Sequence, residues 1–222
     1  MQTTVHRAKP ATVRRGEARS KILDAAQELI IAHGVNGVSI RAINASAGVS
    51  PSILHYHFGS MEGLIATLID RHMKPLMESR RRLLEERLAQ PSLSTRDVAE
   101  IMALPLATLA IEDGKSGLNY VRFLARLYGD RSPLLEEATE RWGGDISEQQ
   151  FSLLQSLNPQ VDSNILLLRM GLASHTLLRG LEELHREPHS WQVRRGMSPL
   201  KPWDQVSQVL NFMVAGLTGA AG

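Results

Sequence analysis

The chain has 222 residues, 43% of them hydrophobic and 22% charged, with no cysteine and a formal net charge of +2. This is enough apolar material for a real core and too little charge for wholesale disorder, and the missing thiols exclude disulfides, iron–sulfur clusters, thiolate zinc sites and cysteine nucleophiles. The charge is uneven: residues 1–63 hold seven Lys+Arg against four Asp+Glu, a balance of +3, while residues 64–222 hold eighteen against nineteen, a balance of −1.

Residues 1–16 read as a flexible basic arm, with Arg7, Lys9, Arg14 and Arg15 and no acid. It has no apolar run of the kind a secretory signal needs, so the protein is expected to stay in the cytoplasm; such an arm either solubilises or approaches nucleic acid. Strand signals are nearly absent and apolar residues recur at helical spacing, which predicts an all-α chain. A first amphipathic helix is expected over 17–33, with Ile22, Ala25, Ala26, Leu29 and Ile30 on one stripe and Gly34 as its stop.

Ser39 then stands as an N-cap before a short helix whose Ile40, Ile43 and Ala47 point inward, and Gly48 follows where a left-handed turn residue is wanted. Ser50-Pro51 supplies a second N-cap with proline at the first helical position. The second helix, over 51–57, is too short to stand alone and needs Ile53, Leu54 and Phe58 as anchors, leaving Ser52, His55 and Tyr56 to face outward. This is a helix-turn-helix. A rigidly held short helix with a polar outer face fits the major groove of DNA.

Beyond it, residues 60–72 present Leu64, Ile65, Leu68 and Ile69, and Pro75 is expected to kink or end that helix. A charged helix over 76–88 includes Arg80-Arg81-Arg82, read as a solvated face. Further helices are predicted over 96–112, 117–128, 134–142 and 147–157, separated by Asp113-Gly114, Pro133 and Gly143-Gly144. Near the C-terminus two stripes stand apart, one of Leu166, Met170, Ala173, Leu177, Leu181 and Leu184 and one of Val206, Val209, Leu210, Met213 and Leu217. Gly171, Ser174 and Gly180 would let a partner helix come close, so both stripes are expected to form a dimer interface, the alternative being that helices this apolar bury themselves inside one monomer. The link between them, 188–202, is polar. The final, uncharged helix is interrupted by Gln205, Ser207, Gln208 and Asn211, so no membrane span is expected.

Over residues 18–68 the sequence resembles the TetR family of bacterial transcriptional regulators. The resemblance is carried by Ser39-Ile40-Arg41, the turn Ala47-Gly48-Val49-Ser50, the run Leu54 through Phe58, and Gly59-Ser60. It implies a helix-turn-helix DNA-binding domain over 17–63, an effector-binding and dimerisation bundle over 64–222, and a homodimer that leaves its operator when a small apolar or amphipathic effector binds. It also implies DNA contacts from Ser39, Arg41, Ser50, Pro51, Ser52, His55, Tyr56 and His57. Three residues depart from the family's habit: His55 replaces a usual tyrosine, Asn44 a common alanine, and Met61 a common phosphate-contacting lysine.

A metal site at His55 and His57 is not expected, because residues i and i+2 lie on nearly opposite helix faces. No cofactor is expected either. No G-x-S-x-G, phosphate loop, H-E-x-x-H or G-x-G-x-x-G occurs, so the competing reading, an all-α enzyme or scaffold with an incidental helix-turn-helix, has no constellation to support it. For an effector pocket the candidates are Met102, Leu106, Tyr120, Phe123, Leu127, Trp142 and His175, with Asn119, Arg122 and Arg126 as possible polar contacts if they point inward; the same residues serve equally well as bundle core.

Overall fold

The computed structural model describes residues 15–184, 186–187 and 189–219, so the basic arm lies outside the described residues apart from its last two. Every regular element among them is helical: α1 (Arg15–His33), α2 (Ile40–Ala47), α3 (Pro51–Phe58), α4 (Met61–Leu88), α5 (Thr95–Glu112), α6 (Gly114–Gly129), α7 (Pro133–Leu157), α8 (Ser163–Glu182), α9 (Ser190–Arg194) and α10 (Pro202–Thr218). A single 3-10 turn, Val35–Gly37, joins α1 to α2.

The N-terminal unit is held by burial. Ile22, Ala26 and Ile30 of α1, Ile43 of α2, Leu54 of α3 and Leu64 and Leu68 of α4 are completely buried, which gives the short α3 the tertiary support that its length requires. The same buried cluster continues without a break along α4 into the C-terminal helices, where α4 packs most extensively against α7, α5 against α6 and α10, and α8 against α10 and α6.

Two predicted breaks are absent. Pro75 lies inside α4, which runs unbroken for 28 residues across the expected domain junction at residue 63. Proline removes the N–H that would bond the carbonyl four residues earlier, but Arg71 and Pro75 are both exposed, leaving that carbonyl on the solvent side, while Leu68, Ile69, Met73, Leu76 and Met77 pack on both sides of the defect. Likewise Gly143-Gly144 does not split α7, a single helix of 25 residues. Gly143 is there for closeness: a Cβ on it would lie 2.6 Å from the Met77 sulfur, so the glycine sets how near α7 comes to α4.

The two C-terminal stripes pack within the protomer, the alternative that their apolar character left open. Leu166, Ala173, Leu177 and Leu181 of α8 and Val206, Leu210, Met213 and Leu217 of α10 are buried inside the protomer, and Met170 and Val209 are partly buried against the same core. The close partner of Gly180 is α10 of the same chain, where an added Cβ would collide with Val209. Gln205 Nε2 donates to the Gly180 carbonyl at 2.9 Å and Arg169 donates to the Leu217 carbonyl at 3.1 Å, which fixes the two helices antiparallel. What α8 and α10 leave exposed includes a second apolar set: Ile165, Leu167, Leu168 and Leu172 of α8 and Trp203 and Phe212 of α10, the last 69% exposed.

Candidate nucleic-acid interface and ligand cavity

The helix-turn-helix closes as its residues dictate. Ser39 Oγ accepts the Ala42 N–H at 3.2 Å and caps α2, and Gly48 takes the left-handed conformation (φ 65°, ψ 34°) that turns the chain toward α3. Ser50 adopts the extended backbone of an N-cap, but its hydroxyl pairs with that of Ser52 at 3.3 Å rather than with a backbone N–H. Pro51 occupies the first turn of α3, and α3 extends one residue beyond expectation, to Phe58.

Leu54 fastens α3 from below, Phe58 is partly buried under the Arg19 guanidinium at 5.4 Å, and Ser39, Arg41, Ser50, Ser52, His55 and Tyr56 are exposed around it. Tyr56 is 66% exposed, and His57, half-buried, meets its ring edge-on at 5.2 Å. His55 is already engaged: its Nδ1 lies 2.9 Å from the Gly59 carbonyl, so it closes the end of α3 and presents only Nε2 outward. Asn44 is buried on the inner face of α2. Met61, at the start of α4, packs partly against the core, and Ser60 Oγ accepts the Gly63 N–H at 3.1 Å as that helix's cap. Among the described residues no cluster of three metal-binding side chains occurs, and no helix is long and apolar enough to cross a membrane.

The larger unit contains a cavity of about 230 Å³ between α4, α5, α6, α7 and α8, which shares Tyr128, Leu135, Thr139 and Ser147 with an outer basin of about 520 Å³. Of the residues expected in a pocket, Met102 and Leu106 line the cavity, and Leu127 and His175 line the basin, where His175 meets the Tyr128 ring edge-on at 4.4 Å. The other three line neither space. Tyr120 is fully buried, donates to the Ile69 carbonyl at 3.0 Å and stacks at 4.3 Å on His72; Phe123 is fully buried beside it. Trp142 donates to Asp70 at 2.7 Å under Lys74. Asn119 borders a surface groove against α1, and Arg126 lies over Gly34 while pairing with Asp130, so neither serves the cavity.

The polar residues that do line it were missed in the sequence. Arg80 donates through Nη2 to the Met102 carbonyl at 2.7 Å. The residue keeps some solvent exposure, but its Nε is buried with no acceptor, and Gln150 Nε2 is in the same condition across the cavity. Burial brings the Arg80 guanidinium down to about 10, so it remains cationic at neutral pH.

A short polar-faced helix clamped by a helical tripod and joined to a cavity-bearing bundle defines a two-part DNA-binding regulator. Residues 22–68 match the family described as "Bacterial regulatory proteins, tetR family", and residues 100–216 match "Tetracyclin repressor-like, C-terminal domain". The chain belongs to the TetR family, whose members are DNA-binding transcriptional regulators that act as dimers.

Over 51 residues the sequence is 41% identical to the HTH-type transcriptional regulator UidR of Escherichia coli K12, a match covering 23% of this chain and 26% of that protein. The alignment thus spans about a quarter of that curated relative's length. Similar folds include a TetR-like transcriptional regulator from Rhodococcus sp. RHA1 (TM-score 0.60, 18% identity, covering 94% of this chain and 100% of that one). They also include the ketosteroid transcriptional regulator KstR2 of Mycobacterium tuberculosis (0.58, 15%, 91% and 95%) and NalD of Pseudomonas aeruginosa, the secondary repressor of a multidrug efflux pump (0.54, 22%, 92% and 98%).

Proposed function

We propose that this protein is a homodimeric repressor acting in the cytoplasm, which holds operator DNA through a pair of α3 helices and releases it when a small amphipathic ligand enters the α4–α8 cavity. The continuity of α4 carries this reading. Its first turns bury Leu64, Ile65 and Leu68 against the helix-turn-helix, and three turns later the same rigid element lines the cavity with Met73, Leu76, Met77 and Arg80. A ligand that displaces the middle of α4 displaces the platform on which α3 rests.

Arg41, Tyr56 and His57 are assigned to phosphates, and Ser52 and the free edge of His55 to base edges or the adjacent backbone, with Ser39, Ser50 and Pro51 setting the helix N-termini against the DNA. The second protomer docks on the exposed apolar set, Leu168 and Leu172 of α8 with Phe212 of α10, rather than on the buried stripes. Two α3 helices would then read half-sites about 34 Å apart, so the operator is expected to be a near-palindrome. Selection of bound duplexes from a random pool by the purified protein tests this: enrichment of a two-fold symmetric sequence is expected, and recovery of only unrelated duplexes overturns it.

A further inference from the structure

We propose that the ligand held in this cavity is a small organic carboxylate with an apolar body, its head group bound by Arg80 and Gln150. The inference rests on the effector reading above and names the chemistry of that same site. Around the two head-group residues the cavity is apolar, with Met73, Met77, Met102 and Leu106 among its walls. Of the hydroxyls that reach it, Thr139 donates to the Leu135 carbonyl at 2.8 Å and Ser174 to the Met170 carbonyl at 3.0 Å, while Ser147 and Tyr128 line both the cavity and the outer basin. The buried donors left unpaired in its lining are Arg80 Nε and Gln150 Nε2.

The neighbouring arginines show that this is not a general habit of the chain. Arg81 forms a forked pair with Asp145 at 2.9 and 3.1 Å, and Arg87 holds both Asp97 and Glu100, at 2.9 and 2.7 Å. Arg80 alone of these faces the cavity, and among the described residues no carboxylate pairs with it. An uncompensated buried cation is strongly destabilising, and a planar guanidinium with free donors matches a carboxylate in both charge and geometry. One cation and one amide compensate a single negative charge. The outer basin carries Glu136 and Glu140 beside Arg131, which disfavours a dianionic phosphate ester.

The test uses the full chain and a panel of straight-chain carboxylates from butyrate to decanoate with benzoate and phenylacetate, each alongside its matched alcohol and primary amine, and octyl phosphate. Thermal shift and calorimetry should show at least one carboxylate binding about 10- to 100-fold more tightly than its alcohol, with the amine and the phosphate weaker still. Arg80→Met, which keeps the volume and removes the charge, should bind the alcohol as before and lose the preference for the acid. Gln150→Leu should reduce the same preference, and it decides the matter if Arg80→Met does not fold. Alcohols that bind as well as acids, a preference that survives in these variants, or a panel in which no carboxylate binds overturns the proposal. Release of operator DNA is read separately by fluorescence anisotropy. A carboxylate that binds without releasing DNA sustains this inference and removes the effector reading, whereas release by acid and alcohol alike does the reverse.

Discussion

Replacing Leu168 by glutamate tests where the second protomer docks. Leu168 is 63% exposed, Leu172 56% and Phe212 69%, on two helices whose opposite faces are sealed against the core. Burying a whole Leu or Phe side chain contributes about 1.5–3 kcal/mol, so covering the exposed part of each contributes roughly 1–2 kcal/mol. Two-fold symmetry doubles each contribution, and the three side chains then supply roughly 6–12 kcal/mol, against an association penalty of about 4–15 kcal/mol. The balance is narrow, so losing one side chain from both subunits matters. Leu168→Glu removes about 2–4 kcal/mol before any charge is desolvated, which raises the dimer dissociation constant about 30- to 1,000-fold. Sedimentation velocity at micromolar concentration should show monomer, while circular dichroism shows unchanged helix content and a melting transition that is cooperative and no longer depends on protein concentration, because the residue supports nothing within the protomer. Leu166→Glu should behave oppositely: Leu166 is completely buried, and the variant should unfold or aggregate. A Leu168→Glu, Phe212→Glu double variant that still dimerises with wild-type affinity would refute the assignment of this face.

Tyr56→Ala and His57→Ala should each weaken operator binding by about 1–2 kcal/mol in an anisotropy titration, with the exposed Tyr56 leaving the melting temperature unmoved; unchanged affinity in both would remove α3's outer face from the interface. Met61→Lys should add one phosphate contact per subunit, steepening the slope of log K against log[salt] by about two for the dimer, equally on operator and scrambled duplexes; an unchanged slope would place residue 61 away from the backbone. Burial, and secondarily the positive charge of Arg71, hold His72 below its ordinary value of 6.5, so between the two values the unfolded chain binds more protons than the folded one. Stability measured by urea unfolding should therefore fall as the pH drops below 6.5 and on through the lower folded value, and His72→Phe should flatten that decline.

The helix-turn-helix was legible because each of its constraints is local. Ser39 caps within three residues, Gly48 needs its own backbone angle, and Leu54 and Ile43 announce their burial by spacing. The breaks at Pro75 and Gly143 were misread for a related reason: local rules penalise proline and glycine inside a helix by a few kcal/mol at most, and packing of α4 against α7 outweighs that. The sequence does not show which helix lies opposite a glycine. For the C-terminal stripes the signal was present and only half used. Leu166 and Leu177 form one apolar line on α8, and Ile165, Leu168 and Leu172 form another at equally helical spacing. A helix apolar on two sides has two faces to cover; the core takes one here, and the proposed dimer would take the other.

Arg80 shows the same oversight in a charged setting. Taken as a run, Arg80-Arg81-Arg82 looks like one solvated tract, but consecutive residues on a helix are turned by about 100° and cannot share an environment. Met73, Leu76, Met77 and Leu84 surround position 80 at helical spacing, so an arginine there falls on the stripe that packs inward, while Arg81 turns away to reach Asp145. A cation placed on an apolar stripe must meet a counter-ion, a carbonyl or a ligand. Met102 supplies one carbonyl, to Nη2, and leaves Nε unsatisfied, and the same helix that carries this unfinished contact begins right after α3 and packs against it. On the proposed reading, occupancy at Arg80 and the position of α3 are linked through this one helix, and the head-group chemistry of the ligand would decide which molecules can act through it.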